Sequence, residues 1–188
     1  MTSFNLNEKE LLSTGIEVKN IVAKLDLNIE LDLSYLESEL PNSSYEPVDR
    51  PSLVFRPDDL STVLIMRSGV LSFTGGSSIA DLRDTHQRMS DELEMIGIDE
   101  MSNVDDLELV NVVSTFDMDT DVNLEHLSLQ LGLENVEYEP EQFPGLVHRI
   151  GNGPVVLVFS SGKAVITGAR STEEILDAAA TIRELISY

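Results

Sequence analysis

The sequence contains one pattern twice, and this internal repeat constrains the possible fold more than any other feature. Several groups of residues return 93 positions later in the chain. They are Tyr45-Glu46-Pro47 with Tyr138-Glu139-Pro140, Pro51, Leu53, Val54 and Arg56 with Pro144, Leu146, Val147 and Arg149, and Ser68-Gly69 and Thr74-Gly75 with Ser161-Gly162 and Thr167-Gly168. Self-similarity in one register over about 80 residues indicates two copies of one structural unit.

The spacing between the copies changes once. Upstream, matching residues lie 91 positions apart; they are Asn20, Val22, Asp26, Leu33 and Leu36 with Asn111, Val113, Asp117, Leu124 and Leu127. Two additional residues in the second copy, between Leu127 and Tyr138, explain the shift. The sequence therefore predicts an N-terminal extension (1–15), a first repeat (16–100), an acidic linker (101–106) and a second repeat (107–188).

Each copy combines strand patterns with helix patterns. Runs of β-branched and alternating residues predict strands, and apolar residues at helical spacing predict helices. The predicted strands of the first copy are 16–25, 43–47, 52–56, 62–66 and 70–74, its predicted helices are 34–39 and 78–96, and 172–186 is the long helix of the second copy. This order predicts an α+β fold made of two pseudo-symmetric repeats, each with antiparallel strands.

The charge is strongly acidic. The chain has 34 Asp and Glu against 12 Lys and Arg, a formal charge of −22, and the acids are spread along its whole length. Its Val, Leu and Ile content favours a folded chain over a disordered one. A folded protein with an acidic surface suits a halophilic cytoplasm, where salt screens self-repulsion. An ordinary acidic protein is the alternative.

Composition also excludes several classes of protein. The sequence has no cysteine, which excludes disulfides, thiol nucleophiles and cysteine metal sites. It has neither an apolar run long enough to span a membrane nor a signal-peptide core near its start. We therefore expect a cytoplasmic protein.

Alternation along the strands predicts a sheet with two apolar faces. In the second copy Leu157, Phe159 and Val165 point to one face, and Val158 and Ile166 to the other. Two long helices can cover one face only. The second face is either buried against more protein or, since it is nearly free of acid, exposed to bind a ligand.

Catalytic and metal-binding patterns are not found. The histidines at 86, 126 and 148 lack metal-pair spacing, and His86 falls on the apolar face of the long helix. The acids at 117, 119 and 121 lack the Gly and Glu of an EF-hand, which favours a solvated loop. We expect neither enzyme activity nor a cofactor.

Long motifs in the second copy resemble the second repeat of TATA-box-binding proteins. They are Asn111-Val112-Val113, Tyr138-Glu139-Pro140-Glu141-Gln142-Phe143-Pro144-Gly145-Leu146-Val147-His148-Arg149, Val158-Phe159-Ser160-Ser161-Gly162-Lys163 and Thr167-Gly168-Ala169-Arg170; Asn20-Ile21-Val22-Ala23 and Tyr45-Glu46-Pro47 resemble the first repeat. The resemblance covers about residues 16–188. It implies a saddle with one curved antiparallel sheet, helices on its convex face, and a concave face on the minor groove of A·T-rich promoter DNA.

The resemblance also implies roles for individual residues. Wedges between base steps would be Phe143 and Phe159, with Met66 in the place of a ring in the first copy. Groove-edge contacts would come from Asn20, Asn111, Thr74 and Thr167, floor contacts from Val22, Val113, Leu64, Leu157 and Val165, and phosphate contacts from Arg56, Arg149, Lys163 and Arg170. Glu139, Glu141 and Gln142 would bind transcription factor B. A nucleoid-associated transcription initiation factor, monomeric on DNA, is implied; whether the free protein dimerises through its concave face is left open.

The first copy departs from this pattern where DNA would be contacted. Phe143, Phe159, Lys163, Val165 and Arg170 correspond to Arg50, Met66, Val70, Ser72 and Ser77. These losses leave an alternative to promoter binding open, in which the chain is a divergent paralogue with weakened DNA binding that acts as a protein-interaction module on transcription factor B. A third possibility is that the fold serves as a substrate-docking domain of a nucleic-acid enzyme.

Overall fold

The structure is a computed structural model that describes residues 4–99, 101 and 104–186. Its residues form two compact units, one built mainly from Asn20–Val110 and the other from Asn5–Lys19 with Asn111–Tyr188. The predicted boundary at residue 100 and both predicted ends, residues 1 and 188, lie outside the described part, as do residues 2, 3, 102, 103 and 187.

The first unit is an antiparallel sheet with two helices. Its strands are β1 (Ile16–Asp26, from Asn20 onward in this unit), β2 (Ser43–Tyr45), β3 (Ser52–Phe55), β4 (Thr62–Met66) and β5 (Val70–Gly76), in the spatial order β2-β3-β4-β5-β1. Its helices are α2 (Leu33–Glu39) and α3 (Ile79–Met95), and a 3-10 turn (Val104–Asp106) lies within the predicted linker.

The second unit repeats this arrangement. Its strands are β6 (Glu108–Asp117, from Asn111 onward in this unit), β7 (Val136–Glu137), β8 (Gly145–Arg149), β9 (Val155–Phe159) and β10 (Lys163–Ala169), in the spatial order β6-β10-β9-β8-β7. Its helices are α1 (Glu8–Ser13), α4 (Leu124–Leu131) and α5 (Thr172–Ile186). A 3-10 turn, Leu133–Asn135, separates α4 from β7 and has no counterpart between α2 and β2. The two additional residues of the second copy fall at this turn.

One face of each sheet is packed and the other is not. Along β9 and β10 the side chains of Val156, Val158, Ala164 and Ile166 are buried, and α5 packs against β10. In the first unit Val63, Ile65, Leu71 and Phe73 are buried in the same way, and α3 packs against β5. The alternate residues stay half-exposed, so the helices cover one face of each unit's sheet.

Polar residues are buried in α3 but not at the matching positions of α5. Thr85 and His86 are buried where α5 has Ala178 and Ala179. The His86 ring lies 6.0 Å from that of Phe73. His86 is therefore a core residue, one of the roles open to it from the sequence.

Residues before β1 pack on the second unit. Leu11 of α1 is fully buried, and α1 contacts α5. The Thr172 amide donates to the Asn5 carbonyl at 2.7 Å, and the Asn7 amide donates to Thr172 Oγ1 at 2.6 Å. The first amide of α5, which has no partner within its own helix, is thereby satisfied.

Candidate functional site

The uncovered face of the second unit is mostly apolar. Register places Leu157, Val165 and Thr115 side by side on β9, β10 and β6, all half-exposed. Val155 and Thr167 form the next pair. Of the predicted floor and groove-edge residues, Val113, Leu157, Val165 and Thr167 lie on this face.

Two phenylalanines stand at the end of this face. The rings of Phe143 and Phe159 are edge to face, with centroids 5.8 Å apart and an interplanar angle of 64°. Gly145 pairs with Phe159, and a Cβ there would lie 2.8 Å from Phe143 Cε1 and 3.0 Å from Phe159 Cε1. A glycine at this position thus allows the two rings to approach each other. Phe143 stays 37% exposed, although burial would be favoured for a ring of this size.

The two predicted asparagines hold equivalent β-bulges. Asn20 Oδ1 accepts a hydrogen bond from Gly75 N at 2.9 Å, and Asn111 Oδ1 accepts one from Gly168 N at 2.6 Å. Both glycines have positive φ, +95° and +86°, and both strand pairs shift register beside them. Because the side-chain oxygen is used by the bulge, each amide NH₂ is the group oriented to donate to a ligand.

The predicted cations of the second unit lie beside acids. Lys163 is exposed and pairs in register with Asp117, and Arg149 Nε donates to Glu137 Oε1 at 3.1 Å. Arg170 is exposed as well. Lys163 and Asp117 also line an open hollow of about 730 Å³ on the second unit, together with Glu17, Thr115, Pro144, Phe159 and Val165.

Glu17 is a carboxylate at this hollow that sequence reasoning missed. It is ion-paired with Lys19, and the hydrogen bond from the Lys19 ammonium, with its positive charge, lowers the pKa of Glu17 below the usual value. The nearly acid-free face expected from the sequence therefore carries negative charge at its edge.

The first unit places different chemistry on its uncovered face. Leu64 and Ser72 lie side by side, and Lys24 pairs with Ser72 on the other side. Lys24 Nζ lies 3.0 Å from Glu108 Oε2. Met66 is 40% exposed at the position of Phe159. Val22 and Thr74 are half-exposed and Arg56 is exposed, as their predicted roles require.

Arg50 stands where the second unit has Phe143. Its guanidinium lies 3.2 Å from Glu46 Oε1 within the loop from Glu46 to Pro51, which we call the first stirrup. Both wedge positions of the first unit, Arg50 and Met66, are described by the structure, and neither is an aromatic residue.

The equivalent loop of the second unit, residues 139–144, is called the second stirrup. Glu139, Glu141 and Gln142 are exposed there. The Gln142 and Phe143 amides donate to the Glu139 carbonyl at 2.9 and 3.0 Å, and the Gln142 side chain donates to the Glu139 carboxylate. The first stirrup has the same two backbone bonds, from Asp49 and Arg50 to Glu46. The two loops thus have the same backbone hydrogen bonds and differ in their side chains.

Among the described residues, His126, His148 and the acids at 117, 119 and 121 form no metal site. His148 is buried with Nδ1 3.1 Å from the Asn135 carbonyl, and His126 is exposed on α4. Asp117, Asp119 and Asp121 are all exposed, and the Asp119 amide donates to Asp117 Oδ1. Across the described residues, no group of three His, Asp or Glu side chains is arranged to hold a metal ion.

Within the described ranges, none of the helices has the length and apolar character needed to cross a membrane.

Comparison with known proteins identifies the family. Residues 15–96 and 106–188 each match the family described as "Transcription factor TFIID (or TATA-binding protein, TBP)". The chain is 41% identical to the TATA-box-binding protein of Methanothrix thermoacetophila, with 92% of this chain and 96% of that protein covered. It is 39% identical to TATA-box-binding protein B of Halobacterium salinarum, with 94% and 95% covered.

A solved structure shows the same fold. The Methanococcus jannaschii TBP superimposes with a TM-score of 0.79 at 35% identity and covers 92% of this chain and 98% of its own. The TBP-like α+β fold with two repeats, inferred above from the sequence, is therefore confirmed. Because the family consists of transcription factors, the expectation that the chain is not an enzyme is confirmed too. The chain belongs to the TATA-binding protein family and is a transcription initiation factor of archaeal type.

Proposed function

We propose that this chain binds the minor groove of A·T-rich promoter DNA through the uncovered faces of its two units, bends the DNA and recruits transcription factor B. The observation that supports this most directly is the edge-to-face pair Phe143–Phe159 at the end of an apolar face, with Lys163 on the same hollow. Apolar wedges of this kind enter base steps and kink the duplex. The functional halves would be residues 16–100 and 107–188.

The contacts would divide by chemistry. At A·T pairs the minor groove presents only acceptors, which suits the amide NH₂ groups of Asn20 and Asn111 and the hydroxyls of Thr74 and Thr167. Val22, Val113, Leu64, Leu157 and Val165 would pack on the groove floor. Arg56, Arg149, Lys163 and Arg170 would contact phosphates, which requires Arg149 to leave Glu137.

Net charge opposes this binding at low salt. At −22, long-range repulsion between protein and DNA is strong until salt screens it. We therefore expect binding to be best at high potassium, as in a halophilic cytoplasm, with one chain on each box.

The test is a fluorescence anisotropy titration of an A·T-rich duplex from low to about molar potassium chloride, with and without transcription factor B. The proposal requires saturable binding to the A·T-rich duplex over a G·C-rich one of equal length. Dye pairs at the duplex ends would report the bend by energy transfer. No binding at any salt, with transcription factor B present, would refute DNA recognition.

Recruitment of transcription factor B would use the second stirrup. Glu141 is exposed at the tip of this loop, and Val48 is its 96% exposed counterpart in the first stirrup. We expect Glu141→Lys to abolish the ternary complex while leaving DNA binding intact, and Val48→Lys to leave both intact. If the two variants behave alike, the second stirrup is not the binding site.

A second function is favoured by the first unit. Because Arg50 and Met66 replace both rings, this half has no aromatic wedge and keeps only the Met66 thioether. With DNA binding weakened in this way, the chain would act on transcription factor B as a protein-interaction module. A pull-down of transcription factor B by the chain without DNA, combined with failure to bind any duplex, would support this function over the first.

A further inference from the structure

The two units present different chemistry at equivalent rows of their uncovered faces. In the second unit the row is Leu157, Val165 and Thr115; in the first unit it is Leu64, Ser72 and Lys24. Strand register places Ser72 between Leu64 and Lys24 just as it places Val165 between Leu157 and Thr115. A hydroxyl therefore stands where an isopropyl group stands in the other unit.

The neighbouring row differs in the same sense. Thr62 pairs with Thr74 in the first unit, and Val155 pairs with Thr167 in the second. All four side chains are half-exposed. The first unit thus carries hydroxyls at two adjacent positions where the second has valines.

A further acceptor lies beyond Ser72. Lys24 Nζ lies 3.0 Å from Glu108 Oε2, and the two side chains are 48% and 60% exposed. The Glu108 carboxylate brings acceptor oxygens to the end of this row. The second unit has an equivalent acid, Glu17, on the hollow that Thr115 and Val165 line, so the two units differ at Ser72 and Thr62 and not in this carboxylate.

This difference matters for one base pair in particular. In the minor groove a G·C pair differs from an A·T pair by the guanine amino group, a donor that projects into the groove. Against a valine that donor is crowded and left without an acceptor, which is costly when buried. A serine is smaller, and its hydroxyl oxygen can accept the hydrogen bond.

We propose that Ser72 makes the first repeat tolerant of a G·C pair at the base step it faces, whereas Val165 makes the second repeat require A·T at the equivalent step. The inference rests on the proposed minor-groove binding and predicts, in addition, the orientation in which the protein binds the box. The preferred box is uniformly A·T under the second repeat and mixed under the first, and this asymmetry orients the protein on DNA.

The test is a set of duplexes in which each A·T pair of a box is replaced singly by G·C and, separately, by inosine·cytosine. Inosine lacks the amino group, so an inosine·cytosine pair keeps the minor-groove pattern of A·T. Since the chain has no cysteine, Glu141→Cys and Val48→Cys each provide a unique attachment point for an iron chelate. Strand cleavage by the chelate then identifies which half of the box lies under which stirrup.

Under the second repeat, we expect one G·C replacement to weaken binding by about tenfold or more and inosine·cytosine to restore it. Under the first repeat, the equivalent replacement should change affinity by less than about threefold. Ser72→Val should create the penalty in the first half, and Val165→Ser should relieve it in the second. Ser72→Val and Val165→Ser both change half-exposed positions, so we expect both variants to fold. Each is the control for the other, because the two substitutions should change the tolerance of G·C in opposite directions.

Three outcomes would overturn the inference. Equal penalties in the two halves would do so, as would a penalty in the second half that inosine·cytosine does not remove. The inference would also be overturned if Ser72→Val and Val165→Ser both tolerated G·C replacements to the same extent as the parent protein. Binding of the unmodified A·T box is measured first and separately: if it fails, the proposed function fails and this inference with it, whereas intact binding without asymmetry removes this inference alone.

Discussion

The rings of Phe143 and Phe159 meet edge to face above Gly145, and the positions equivalent to these two rings in the first repeat hold Arg50 and Met66. The scaffold is thus repeated while the uncovered surface is not. An aromatic pair that stays partly exposed loses favourable burial, which is consistent with a surface kept for binding.

Removal of the Phe159 ring should weaken DNA binding more than removal of the equivalent Met66 side chain. Phe159→Ala deletes a wedge whose insertion helps to offset an unstacking cost of a few kcal/mol, so we expect a loss of about tenfold or more and a smaller bend. Met66→Ala should cost less, because a flexible thioether fills the base step less completely. Anisotropy and end-to-end energy transfer on one A·T-rich duplex measure both effects; equal losses would contradict the asymmetry.

A methyl group added at Gly145, beside the Phe143–Phe159 ring pair, should also weaken DNA binding, and the protein should still fold. In Gly145→Ala the new Cβ would lie 2.8 Å from Phe143 Cε1, so the rings must move apart. The displaced atoms are ring edges, so we expect thermal stability to be nearly unchanged while affinity for bent DNA falls. Ser52→Ala is the matched control, since Ser52 occupies the equivalent position and already has a Cβ. A Gly145→Ala protein that binds as well as the parent would show that the ring spacing is unimportant.

Asp81 should make stability depend on pH. The hydrogen bond from the Ser77 amide, supplemented by bonds from Ser78, holds the pKa of Asp81 below the usual value. The Ser78 amide donates to the Asp81 carboxylate and the Asp81 amide donates to Ser78 Oγ, which forms a capping box on α3. Because the folded pKa is depressed, the stabilisation is present above the unfolded pKa of about 3.9 and is lost as pH falls through the folded pKa.

We therefore expect Asp81→Asn to lower the free energy of unfolding by about 1 kcal/mol at neutral pH. The difference between the two proteins should shrink below about pH 4. Denaturant titrations followed by circular dichroism, at a series of pH values and constant high salt, measure it. A difference that does not vary with pH would show that the charge of Asp81 is not the cause.

The segment before β1 should stabilise the second unit. Leu11 is fully buried while its neighbour Leu12 is 64% exposed, which gives a matched pair of substitutions on one helix. Leu11→Ala should cost about 2–5 kcal/mol and Leu12→Ala should fall within about 0.5 kcal/mol. Hydrogen exchange of the α5 amides should accelerate in the first variant only. Equal and small effects would mean that α1 does not support α5.

The helices and strands could be predicted because their residue patterns occur twice in the sequence. Thr62–Met66 was predicted with the bounds it has, as was Thr172–Ile186. For β5 the prediction ended at Thr74, whereas the strand continues to Gly76, because Asn20 holds a bulge that lets the chain carry on past a glycine. A strand pattern cannot reveal a bulge whose partner lies 55 residues away.

Other features depended on pairings that have no periodic signal. The Lys24–Glu108 ion pair and the docking of Asn5 and Asn7 on Thr172 join residues far apart in sequence. The expectation of a face nearly free of acid also missed Glu17, since the sequence does not show which end of a strand reaches the hollow. Side-chain identities on the uncovered faces could be predicted; the charges at their edges could not.

The bond between Asn7 and Thr172 closes a loop of 165 residues, so the second unit contains segments from both ends of the described chain. During synthesis α1 emerges early, long before the helix that covers Leu11. The strands and long helix of the first repeat are all available once residue 95 has left the ribosome. Translation therefore completes the first repeat while the second waits for α5, and the half that carries the aromatic pair is the last to mature.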